Sequence, residues 1–148
     1  MTRTLDIALA LGLGAVLLTA VFIFGDPAYL GPWYYLLAWG GVIGLIQIGK
    51  APPLSTLGAT TALTVTLLGY WAWQASLPRP EGLLGLGHLF SLPGLALAAV
   101  AVAVLARRRG LKPASAFAAT FAACSAGFCI AQFIVCRTAL YCGAISGM

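Results

Sequence analysis

Apolar runs recur five times along the chain, at Leu5–Gly25, Leu30–Gly49, Leu54–Ser76, Leu84–Ala106 and Ala114–Val135, uncharged except for Asp6 near the start of the first. Each is close to the ~20 residues that an α-helix needs to cross the hydrocarbon of a bilayer. The breaks between them carry helix breakers or charge: Gly25-Asp26-Pro27, Lys50-Ala51-Pro52-Pro53, Leu77-Pro78-Arg79-Pro80-Glu81 and the Arg107–Pro113 stretch. The pattern predicts an all-α integral membrane protein, a compact bundle of about five transmembrane helices forming one polytopic domain over residues 1–148. The fourth run has the least defined start, because Gly82, Gly85 and Gly87 precede Pro93. Residues 82–93 are expected either to span or to lie at the membrane interface.

Composition strengthens this reading. Only 7% of residues are charged while 61% are hydrophobic, too little polar surface to cover a water-soluble globule. In a chain of 148 residues, five spans leave no room for a separate soluble domain. The formal net charge of +5 does not imply nucleic acid, since the basic residues sit at helix ends and are not interleaved with aromatics. The expected partner is the lipid bilayer.

Charge position also predicts orientation. With the N terminus inside, Arg3, Lys50, Arg107, Arg108, Arg109 and Lys112 fall on the inner side, and only Arg79 and Arg137 on the outer. Aromatic residues crowd the outer ends, among them Phe22, Phe24, Tyr29, Trp33, Tyr34, Tyr35, Tyr70, Trp71, Trp73 and Tyr141, as expected of a belt at headgroup level. The reading is N terminus cytoplasmic and C terminus outside or periplasmic, in a bacterial inner membrane. The first run is expected to be a retained span, being longer than a leader's apolar core and lacking a small-x-small cleavage site before Asp26-Pro27.

Membrane helices associate through small residues and occasional polar contacts. Gly40 and Gly44 form a GxxxG spacing in the second span, and Ala119, Ala123 and Gly127 a four-residue repeat in the fifth. Both are candidate packing faces, for neighbours within the chain or for another subunit. Thr56, Thr60 and Thr64 align along one side of the third span. They either line a polar pathway or bond back to helix carbonyls, the commoner arrangement.

Ionisable groups within the spans are scarce, which argues against a proton-coupled pump. Asp6 is expected to pair with Arg3 at the surface, three positions away on the same helix, and the single histidine, His88, to lie in a loop. The sharpest chemical signal is the clustering of Cys124, Cys129, Cys136 and Cys142. On a regular helix Cys129 and Cys136 are separated by about 10.5 Å of rise, and Cys124 and Cys129 point apart, so neither pair can close a disulfide. Cys136 and Cys142 can bond if the chain turns between them, in an oxidising outer compartment. Cys124 and Cys129 are expected to be packing residues.

No CxxC, HExxH, GxSxG or phosphate loop is present, and no metal site or cofactor is expected. The leading expectation is a non-enzymatic subunit or accessory protein of a larger membrane complex, held to other membrane-protein helices in a hetero- or homo-oligomer. The alternatives are a small transporter or channel for an uncharged or lipid-like solute, and thiol-redox or soft-metal handling by the C-terminal cysteines.

Overall fold

In the computed structural model, which describes residues 2–25, 31–76 and 84–138, five α-helices follow one another. They are α1 (Arg3–Phe24), α2 (Pro32–Ile48), α3 (Ser55–Ser76), α4 (Leu84–Arg108) and α5 (Pro113–Thr138). The described part of the chain is all-helical. α1, α4 from Gly85, and α5 are long and apolar enough to cross a membrane, which is the character of a membrane protein. α2, at 17 residues, is about 25 Å long and falls slightly short of the hydrocarbon thickness. α3 has the length but carries five threonines and three aromatics with polar tips.

The boundaries have local causes. Thr2 caps α1, its Oγ1 accepting from Leu5 N–H at 3.4 Å, and Pro32 occupies the first position of α2, where its missing N–H costs nothing. α2 and α4 end alike. Ala51 N–H bonds Ile46 C=O and Lys50 N–H bonds Gln47 C=O; Leu111 N–H bonds Ala106 C=O and Gly110 N–H bonds Arg107 C=O. This paired closure needs a left-handed residue after the cap, supplied by Gly110 (φ 57°) in one turn and by Lys50 (φ 51°) in the other. α4 runs unbroken through Pro93, so residues 84–93 belong to a continuous helix; 82 and 83 lie outside the described residues.

α3 is the centre of the bundle and packs against each of the other four helices. Its low apolarity is thereby explained, since the hydroxyl-rich helix is the one enclosed by its neighbours, with Ser55, Thr56, Ala59, Thr60, Ala62, Leu63 and Leu67 fully buried. Close approach depends on glycines. A Cβ on Gly58 would stand 2.6 Å from Phe117 O, one on Gly49 2.8 Å from Ala103 Cβ, and one on Gly127 2.5 Å from Gly94 O. The α4 and α5 backbones therefore touch directly where Gly94 and Gly127 face each other. Outward, Leu11, Val16, Phe22, Ile23, Leu37, Leu97 and Ile130 are exposed, an apolar exterior suited to lipid.

Candidate functional site: two buried polar clusters

The first cluster joins α1, α2 and α3. Asp6 lies on the α1 face that also buries Ala10, Gly14, Leu17 and Val21, and is 1% exposed. Its Oδ1 accepts from Leu57 N–H at 2.9 Å and its Oδ2 from Thr56 N–H at 3.2 Å. The carboxylate thus caps the N-terminus of another helix, where unpaired N–H groups and the helix dipole favour negative charge. Arg3 does not pair with it at the surface as the sequence suggests. Its guanidinium instead reaches Gln47, bonding the side-chain Oε1 at 2.5 Å through Nε and the backbone O at 2.8 Å through Nη2. Gln47 Nε2 donates in turn to Thr56 Oγ1 at 2.8 Å. The orphaned amides of α3 are the better partner for Asp6 because they are buried and have no other acceptor.

The second cluster lies in the other half, about 15 Å further along α3, between Thr56 and Thr66. His88, expected in a loop, is fully buried within α4. One ring nitrogen, Nδ1, bonds the Tyr34 hydroxyl of α2, and Nε2 lies 3.2 Å from Thr66 Oγ1 of α3. Donor counting fixes the tautomer. Thr66 has one hydroxyl hydrogen, given to Leu63 C=O at 2.9 Å, so Oγ1 accepts from Nε2–H and Nδ1 accepts from Tyr34 O–H. Both ring nitrogens are thus engaged, one as acceptor and one as donor. Tyr70 meets the imidazole edge-on at 5.0 Å between centroids, and Phe128 of α5 lies at 4.7 Å. Tyr34, Tyr35 and Tyr70 are therefore buried here instead of standing in a surface belt, whereas Phe22, Phe24 and Trp33 are exposed.

Next to it, Ser91 Oγ of α4 lies 2.6 Å from Gln132 Oε1 of α5, and Gln132 Nε2 donates to Cys136 Sγ at 3.0 Å. Cys136 is buried, and Cys124 and Cys129 are free thiols, the first buried and the second exposed. Cys142 lies outside the described residues, as do Tyr29, Arg79 and Tyr141.

The remaining sequence-derived candidates separate in space. Thr60 Oγ1 bonds Thr56 C=O at 3.0 Å and Thr64 Oγ1 bonds Thr60 C=O at 2.8 Å, so these hydroxyls turn back onto their own helix. Thr64 also borders, with Thr61, Gly12 and Val16, an open apolar groove of about 510 Å³ between α1 and α3. On α5, Gly127 meets Gly94, a glycine that spacing had not singled out, while Ala119 and Ala123 are half-buried. Gly40 and Gly44 on α2 have no atom within 4 Å of where a Cβ would stand. Among the described residues no three histidine, cysteine or acidic side chains converge as metal ligands.

Chemically, both clusters tie helices together. The bonds of Asp6 and of Arg3, Gln47 and Thr56 join α1, α2 and α3, and those of Tyr34, His88 and Thr66 join α2, α4 and α3. Comparison with protein-family models, curated proteins and solved structures finds no match.

Proposed function

We propose that this chain is a small polytopic subunit or accessory protein of a larger membrane complex, without catalytic activity of its own. In this reading all five helices span a bacterial inner membrane, with the N terminus cytoplasmic and the C terminus outside. The observation that carries it is the open face of α2. A Cβ placed on Gly40, Gly41 or Gly44 would meet nothing within 4 Å, as is also true of the isolated Gly12 of α1 and Gly69 of α3, while Gly14, Gly49, Gly58, Gly94 and Gly127 are consumed by close contacts inside the chain. A three-glycine surface on a short helix lets a foreign helix approach backbone to backbone, the contact that lipid chains do not reward. A photo-crosslinking residue at Gly40 or Gly44, introduced in cells, is expected to give adducts with another polypeptide, whereas one at exposed Leu97 of α4 gives none. Lipid adducts alone at the α2 positions would contradict the proposal.

A second reading, thiol chemistry at the outer end, is favoured by the Gln132 amide aimed at Cys136 Sγ. It requires a Cys136–Cys142 disulfide, the one pairing open to Cys136 within the chain once Cys124 and Cys129 are free. Alkylation without reductant is expected to label Cys124 or Cys129 only; labelling of Cys136 would remove the bond.

A further inference from the structure

We propose that the cationic end of the bundle is a binding surface for anionic phospholipid headgroups, an inference that rests on the membrane-spanning reading. The helix contacts bring one end of every helix together. Arg3 at the start of α1 bonds Gln47 at the end of α2, Asp6 bonds the start of α3, Gly49 abuts Ala103 near the end of α4, and Gly58 abuts Phe117 near the start of α5. Arg3, Lys50, Arg107, Arg108, Arg109 and Lys112 consequently share that end, and all are exposed. Arg137 is the single described cation at the other.

Among the described residues these charges have no acidic side chain as counter-ion. Asp6 is the one acidic side chain among the described residues, and both its oxygens are committed to α3 amides. The two short turns hold Lys50 and the arginines against the helix ends through their paired backbone bonds, so the charges cannot spread apart freely. The chemistry of the neighbourhood selects lipid over a soluble polyanion. Ile48 (80% exposed), Val104 and Leu105 (39% and 46%) lie directly beside the cations, so the positive rim borders an apolar belt as the headgroup layer borders acyl chains. A lipid satisfies both zones at once, and its phosphate gives the arginine forks a bidentate acceptor.

The test uses the full chain in detergent, titrated with phosphatidylglycerol and phosphatidylcholine and read by native mass spectrometry. With ~1 kcal/mol, or about fivefold, per surface cation, phosphatidylglycerol is expected to be retained at least ~10-fold over phosphatidylcholine. The preference is expected to fall to within about twofold in R107Q/R108Q/R109Q and to persist in R137Q, and raised salt should erode it in the unaltered protein. Equal retention of the two lipids, or a preference that survives the triple substitution, would overturn the proposal. So would inorganic phosphate at millimolar concentration competing fully, which would assign the surface to a free anion. Alkaline extraction of the chain from vesicles separates the premise, because release into solution would refute membrane spanning whatever the lipid preference.

Discussion

The two buried clusters solve the same physical problem with different means. At the charged end a full carboxylate, Asp6, is held by the backbone amides that open α3, and the positive charge nearest it in sequence is spent on Gln47. At the other end neutral groups, Tyr34, His88 and Thr66, pass hydrogen bonds in one direction across three helices. A charge buried in a membrane bundle needs fixed dipoles that cannot leave; neutral groups need only each other. The first device is therefore expected to be stiff and intolerant of change, and the second graded.

Breaking the first should have the largest effect. Asp6→Ala removes two charge-assisted bonds and leaves the Thr56 and Leu57 amides unsatisfied, an expected loss of ~3 kcal/mol in reversible unfolding followed by circular dichroism in mixed micelles. Asp6→Asn retains one acceptor oxygen and should recover about half of it. In the second cluster His88→Leu leaves the buried Tyr34 hydroxyl without its acceptor and removes the bond received by Thr66, which still donates to Leu63 C=O, and should cost ~2 kcal/mol by the same measurement. Tyr34→Phe removes one neutral bond, for ~1 kcal/mol, and should be non-additive with His88→Leu because the two share that bond. An Asp6→Ala effect smaller than that of Tyr34→Phe would reverse the comparison. The smallest change is a gain. Lys50 holds a left-handed conformation that Gly110 holds without strain in the matching turn, so Lys50→Gly should stabilise by about 0.5–1 kcal/mol.

Much of the architecture was legible because it depends on local pattern. The five apolar runs coincide with the five helices, with small shifts at the ends, such as Leu5–Gly25 against Arg3–Phe24. The clusters were less legible because their partners come from other helices. Asp6 and Arg3 are neighbours in sequence, and nothing local reveals that α3 offers two free amides. A signal existed all the same: Asp6 continues the buried register of Ala10, Gly14, Leu17 and Val21, and His88 that of Ser91, Leu95 and Ala99. Following each stripe to its end places both polar residues inside. The glycines teach the complementary point, since spacing identified Gly40 and Gly44 but not Gly94, and which small face turns inward is decided by the other helices.

Whether α2 keeps its glycine face for another protein is decided by native mass spectrometry of the chain gently extracted from its own membrane, beside a Gly40→Leu/Gly44→Leu variant. The prediction is an assembly larger than the 15.3 kDa chain that is lost in the variant while helicity and the unfolding midpoint stay unchanged. A lone chain, or an assembly that the two leucines leave intact, would contradict it.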